Sequence, residues 1–427
     1  MKKILIISPY FAPANAADMQ RIRMSLPYFM DMGWEAEVVS CDPKYYEGSI
    51  DELLLESIPK STKIHYVSAF NKKYTSKIGL GSLALRSIWF YKRKVNQLLR
   101  KGHFDLIYFS TTEFPICILG AYWKKKFQVP YVIDMQDPWH TDYYENKQKN
   151  ERPPKYWFSY RLNKYLEPIA MRKVDGLIAV SGQYNRDLIK RYALNVPYTT
   201  ITFGAFEEDI EIAKTNLNKY PSVLKRKGKI EVGYIGRGGY DMQDAVRILF
   251  QVFAKALKED YKYFDQFYFN FIGTSYAPSG QGKKTIAPLA DQLKLGNYIN
   301  EDPDRIPFYQ AINTLADMDI LFICGSNDEK YTASKIYPYL LLEKPLLAIF
   351  HENSSVVEIL RKCSNATVVT FQESDETKEK KIKSFLQQFT EVKYKLNREN
   401  FFPYTAKEMT KRQCILFDRA ISQKNEH

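Results

Sequence analysis

No stretch of the 427-residue chain runs for about 18 uncharged apolar residues, so no helix is expected to cross a membrane. Cysteine is scarce: Cys41, Cys117, Cys324, Cys363 and Cys414 are scattered, without a CxxC pair. That spacing excludes a disulfide framework or a zinc site and fits a reducing cytosol. The start, Met1-Lys2-Lys3 followed by Ile4–Ile7, mimics a signal peptide, but its apolar run stops at Ser8-Pro9. It is too short for a secretory core and reads as a first strand. Short repeats, low-complexity tracts and EF-hand spacing are all missing. Acidic residues are missing from Ser57–Phe104, which carries eleven Lys and Arg. What is plentiful is apolar: 45% hydrophobic and 15% aromatic residues exclude a disordered or fibrous chain. The net charge of +13 is lopsided, with an excess of eleven in residues 1–200 and of two in 201–427. Such a field favours anionic partners: a membrane surface, nucleic acid or phosphorylated substrates.

Hydrophobic patterning places strands at Lys2–Ser8, Glu35–Ser40, Phe104–Ser110, Val129–Asp134 and Val174–Ser181. Helices are expected at Asp18–Met32, closed by Gly33, and at Pro115–Phe127. Lys214–Lys229, polar and basic with Pro221 and Gly228, reads as a linker. The pattern then restarts: strands at Ile230–Ile235, Phe267–Ile272, Ile320–Cys324 and Pro345–Phe350, helices at Asp241–Lys258, Ala311–Asp317 and Ser334–Leu342. Strands alternating with helices imply mostly parallel sheets with right-handed crossovers. The expected fold is α/β: two Rossmann-like domains facing across a cleft. Residues 1–205 form the first, completed by a C-terminal helix at 404–427. Residues 206–229 link it to the second at 230–403.

Gly233, Gly236, Gly238 and Gly239 lie between a strand and a helix. Glycines there let backbone N–H groups approach a phosphate at a helix N-terminus, or simply make a tight turn. The spacing is not GxGxxG, which disfavours a nicotinamide enzyme. Arg237 sits inside the loop as a phosphate partner. Ser334 reads as an N-cap with Lys335 beside it. Asp137 and His140 follow a strand, at the carboxyl end where α/β ligand sites form.

Five fragments, in order, resemble the GT-B glycosyltransferases, specifically the family 4-like sugar transferases of bacterial surface polysaccharide (capsule, lipopolysaccharide) assembly. They are ILIISPYFAPANAADMQRIRMSLPYFMDMGWEAEVVS at the start, YVIDMQDPW at 131–139, VDGLIAVS at 174–181, VGYIGRGG at 232–239 and SKIYPYLLLEKPLLAIF at 334–350. The resemblance implies a donor domain in the second half, where Arg237 and Lys335 neutralise a nucleotide-sugar diphosphate with Gly236, Gly238, Gly239 and Ser334. It implies that Asp137 acts as base or acceptor ligand and that His140 touches a sugar hydroxyl, unless the loop is a structural Asp-Pro turn. It makes Asp18, Arg21 and Arg23 acceptor-side candidates, unless they merely start a helix. The sequence departs from the family at several positions. Where relatives carry two glutamates eight residues apart it has Lys330 and Pro338, with Glu329 one residue out of register. Glu343 stands where the family often has glycine.

Two DxD matches, Asp317/Asp319 and Asp302/Asp304, are expected by chance in a chain with 49 acidic residues, so neither metal nor other cofactor is assigned. The stretch Gly79–Lys101 reads either as an amphipathic helix lying in an anionic headgroup layer or as a helix packed on the sheet with a solvated basic face. The expected function is transfer of a sugar from a nucleotide sugar to a glycan, here a lipid-linked one, at the cytoplasmic membrane face, with retention and without metal. The alternatives are a nucleotide-sugar epimerase of the same fold or a non-catalytic glycan-binding member. A nucleic-acid partner is disfavoured because no recognised module accompanies the charge.

Overall fold

Runs such as Ile4–Ile7 have no polar residue to turn toward water, and a strand made of them must be covered on both faces. In a computed structural model, which describes residues 1–141, 156–225, 228–277, 279–326 and 333–422, Ile4–Ile7 are wholly buried. They lie in β1 (Lys2–Ile7), a central strand of a parallel sheet. Its companions are β2 (Trp34–Cys41), β3 (Lys63–Val67), β4 (Leu106–Ser110), β5 (Tyr131–Met135), β6 (Gly176–Ala179) and β7 (Tyr198–Thr200). The order is β3-β2-β1-β4-β5-β6-β7, parallel throughout. The unit built on this sheet comprises Met1–Gly204 and the chain from Ala406 onward. The helix Ala406–Ser422 belongs to it: Phe417 packs against Phe29, Trp34 and Tyr108, with ring centroids 6.3, 5.6 and 4.9 Å away.

The second unit, Ala205–Thr405, holds β8 (Ile230–Ile235), β9 (Phe267–Ile272), β10 (Ile299–Asp302), β11 (Ile320–Cys324), β12 (Leu346–Phe350) and β13 (Thr367–Thr370). Its order is β10-β9-β8-β11-β12-β13, again parallel. In each sheet the order reverses once, at β1/β4 and at β8/β11. At such a switch point the crossover helices diverge to opposite faces, opening a crevice at the carboxyl ends of the two strands.

Three local expectations change. The helix expected over Asp18–Met32 is split into Gln20–Ser25 and a 3-10 turn at Met30–Met32, because Pro27 has no N–H to continue the ladder. Gly33 closes the second piece at φ 81°. The segment 206–229 expected as a linker carries the helix Glu208–Thr215, docked on Phe308–Asp317. There Tyr309 donates to Asp209 at 3.0 Å, and Asn313 donates to the carbonyls of Ala213 and Tyr220. This stretch is therefore part of the second unit. The strands β3, β7, β10 and β13 had no apolar run to announce them; each is short and lies at or next to a sheet edge. All five cysteines are buried and free.

Candidate functional site

The crevice at β8/β11 brings together three of the residues singled out by sequence, Gly236, Arg237 and Lys335. Strand β8 ends at Ile235, whose N–H is held by the Tyr339 hydroxyl from the helix Ile336–Leu341. Gly236 follows at φ 148°, and a Cβ there would collide with the Lys335 ammonium. Only glycine lets the loop pass this closely. Lys335 Nζ donates to the Tyr234 hydroxyl at 2.9 Å and lies 4.9 Å from its ring centroid, while that hydroxyl donates to the Arg237 carbonyl at 2.7 Å. Burial first, then the nearby positive charges of Arg237 and Arg305, lower the Lys335 pKa to about 8. Arg305, in the loop after β10, is a third cation that pattern reading missed; its only sequence signal was its place in that loop. Arg237 forms a two-bond pair with Asp241 at 2.8 and 2.7 Å.

Two donors expected for phosphate are already taken. The N–H of Gly236 bonds Ile272 O and that of Gly238 bonds Thr274 O, both at 2.9 Å. Gly239 leads into the turn Tyr240–Met242 before the long helix Gln243–Glu259. Ser334 is exposed and is not the N-cap; Lys335 occupies that position, and no side chain caps the helix. Pro338 sits in the first turn of that helix, where its missing N–H costs nothing. Glu329 and Lys330 lie outside the described residues. Glu343 has φ 49°, the left-handed conformation that glycine adopts most readily. The DxD carboxylates serve loops: Asp319 accepts from the Glu231 N–H, Asp304 from the Gly280 N–H, and Asp302 from the Asp304 N–H.

In the first unit the switch point lies between the loops after β1 and β4. Asp18 is buried there, its carboxylate accepting from the Thr111 hydroxyl and from the N–H and hydroxyl of Thr112. Desolvation nevertheless raises its pKa. Asp137, just past β5, keeps an exposed surface. Its surroundings desolvate the carboxyl enough to raise its pKa, and the Asp18 charge adds to the effect. Glu113 was missed by sequence, although it stands in a polar Thr-Thr-Glu triplet right after β4. It accepts from the Ala84 N–H at 2.7 Å, and burial raises its pKa to about 7.

Arg21 and Arg23, expected on the acceptor side or as an ordinary helix start, are both fully buried. Arg21 pairs with Asp134 at 2.6 Å and donates to the carbonyls of Ile201 and Thr202. Arg23 bonds Gln20 and Ser57. His140 is anchored through its backbone, with its N–H on Glu167 and its carbonyl on Arg191, and its ring packs 4.8 Å from Tyr160. Trp139 is buried and stacked on Phe114.

Residues 30–202 match the sequence profile of Glycosyltransferase Family 4. The matched segment is a family 4 glycosyltransferase domain, and the chain has a GT-B fold. Among solved structures, it is similar to sucrose-phosphate synthase from Thermosynechococcus elongatus, with a TM-score of 0.62 and 12% identity over 99% of this chain and 100% of that one. It is similar to Anabaena HepE in complex with UDP-glucose, at 0.55 and 16% over 100% of both chains. It is also similar to a mutant of S. aureus TarM in complex with Fondaparinux, alpha-GlcNAc-glycerol and UDP, at 0.58 and 12% over 98% and 100%. No curated protein matches the glycosyltransferase chain in sequence.

Proposed function

We propose that this glycosyltransferase moves a sugar from a nucleotide-sugar donor to a glycan acceptor in polysaccharide biosynthesis, with retention at the anomeric carbon. The reading is carried by the meeting of Lys335 and the Gly236–Arg237 loop at the β8/β11 switch point. When the anomeric C–O bond breaks, a nucleoside diphosphate leaves with growing negative charge. Fixed cations stabilise that charge with no reorganisation at the moment of reaction. Lys335 and Arg237 bind the diphosphate, and Asp137, with His140 beside it, bonds sugar hydroxyls. The structures of HepE with UDP-glucose and of TarM with UDP support a nucleotide-sugar donor.

The acceptor in this reading is lipid-linked and met at the cytoplasmic face of the membrane. The association in this reading is peripheral; among the described residues, no helix is long and apolar enough to cross a bilayer. No divalent metal is needed in this reading: the carboxylates of Asp302, Asp304 and Asp319 accept from backbone N–H groups, and the leaving group meets side-chain cations instead. Transfer should survive EDTA; loss of activity restored by magnesium or manganese would refute this part. The donor assignment is tested by calorimetry on Lys335→Ala. Losing one charge-assisted contact, worth roughly 1.5–3 kcal/mol, should weaken uridine diphosphate or its congeners about tenfold or more. Unaltered affinity for every nucleoside diphosphate tried would sink it.

A further inference from the structure

The helix Leu83–Lys101 does not lie apolar face down on a bilayer: Leu83, Ala84, Tyr91 and Val95 are buried against the core of the first unit. A different surface carries the membrane chemistry. Of the five tryptophans, Trp34, Trp123 and Trp139 are buried, whereas Trp89 and Trp157 are 51% and 65% exposed. These two are linked by contacts at either end of one short stretch of chain. Exposed Phe70 packs on Phe90 at 5.0 Å, and Trp89 meets Phe90 edge-on at 4.9 Å. From Phe70 the chain passes through two short turns that expose Tyr74 and Ile78. Gly79 then lies so close to Phe158 that a Cβ would sit 2.8 Å from its ring, and Trp157 meets Phe158 edge-on.

Cations border the aromatics. Arg93 lies over Trp89 and Arg161 over Trp157, at 5.8 and 5.5 Å, while Lys73, Lys77 and Lys92 are exposed nearby. Neither 57–104 nor 156–166 contains an acidic residue. Exposed indole, phenyl and sec-butyl groups ringed by Lys and Arg fit one partner best: an interface that is anionic outside and hydrocarbon beneath.

We propose that this face of the first unit seats on an anionic lipid bilayer, Phe70, Ile78, Trp89 and Trp157 entering the headgroup boundary and the cations pairing with lipid phosphates. The face adjoins the carboxyl ends of the strands. Tyr160, in the same helix as Trp157, packs on His140, and the Leu83–Lys101 helix is tied at Ala84 to Glu113. A lipid-borne glycan would thus be presented next to Asp137. The proposal deepens the reading of a lipid-linked acceptor, yet it is measured without any transfer assay.

The test is sedimentation and tryptophan emission with phosphatidylglycerol–phosphatidylcholine vesicles, against pure phosphatidylcholine. At low salt the protein should partition at least about tenfold more into the anionic vesicles, because each basic residue near such a surface contributes about 1 kcal/mol. Its emission should shift to the blue. Salt should weaken binding and leave an aromatic remainder. Trp89→Ser with Trp157→Ser should abolish the shift and weaken the remainder while leaving the melting temperature unchanged. Lys92→Glu with Arg93→Glu should lower the partition about tenfold or more. Absence from the anionic pellet at low salt overturns the proposal, as does a double tryptophan variant that binds like the wild type. Equal binding to heparin or single-stranded RNA without a blue shift would make the face a polyanion site, and overturns it too. Vesicle binding by a chain that binds no nucleotide would refute the donor assignment and leave this surface standing.

Discussion

Lys335 shows how one side chain ties chemistry to pH. A lysine is normally protonated up to about 10.5, but burial and the Arg237 and Arg305 charges bring this one to about 8. An arriving diphosphate needs the ammonium and would draw its pKa back up. Nucleotide affinity should therefore fall as pH rises through about 8 and beyond, and Lys335→Arg, which does not titrate there, should flatten the profile. Calorimetry across that range decides it; a wild-type profile flat to about pH 10 would separate Lys335 from the ligand. Glu113 is shifted the other way, up to about 7. An acid with a raised folded pKa holds its proton longer folded than unfolded, so it lowers stability as pH climbs from about 4.5 to 7. Glu113→Gln should raise the melting temperature at pH 8 and change it little at pH 4.5. An equal change at both would show that desolvation is not the cause. Glu343, at φ 49°, was visible in the sequence only as a departure from glycine, and its left-handed backbone is one that glycine suits better. Glu343→Gly should relieve about 1 kcal/mol of left-handed strain, against an exposed ion pair with Arg398 worth less. Buried arginines were illegible for the opposite reason. Nothing local to Arg21 announces Asp134, Ile201 and Thr202, and without those partners it reads as a solvent-facing cation.

Elements were legible where both faces of a strand are covered, since an uninterrupted run such as Ile320–Cys324 leaves few alternatives. Outer strands such as β3 and β10 escaped because their residues alternate or are polar. The helix Glu208–Thr215 escaped for another reason: what fixes it is not its own pattern but the side chains of a distant helix. Asn313 gives both its amide hydrogens to carbonyls of that neighbourhood. Asn313→Ala would leave one buried and one part-buried acceptor unmatched, and such groups cost about 1–3 kcal/mol each. The second unit should lose stability in that range, measured by denaturant unfolding, with hydrogen exchange rising first at 208–220. Exchange rising instead across β8 would mean that the helix is not the weak seam. The Leu83–Lys101 helix was legible as an element, but its sequence left open which surface it turns to the core. Its composition is amphipathic either way, and only the buried Tyr91 and Val95 show which side the core takes.

At the scale of the molecule, the duplicated strand–helix alternation was legible because each sheet needs its own switch point and its own core. The first unit also takes in the last helix of the chain, the one expected at 404–427, from the end of the chain opposite to β1. That helix supplies the ring of Phe417, fully buried among Phe29, Trp34 and Tyr108. Replacing a buried phenylalanine by alanine removes its transfer energy and leaves a cavity, together about 3–5 kcal/mol. The chain passes from the first unit to the second near Ala205 and returns near Thr405, so the damage should be confined to one unit. Phe417→Ala should lower the unfolding transition that exposes Trp34 and leave unchanged the one that releases bound nucleoside diphosphate from the second unit. A single shared transition, moved as a whole by the substitution, would show instead that the two units unfold as one.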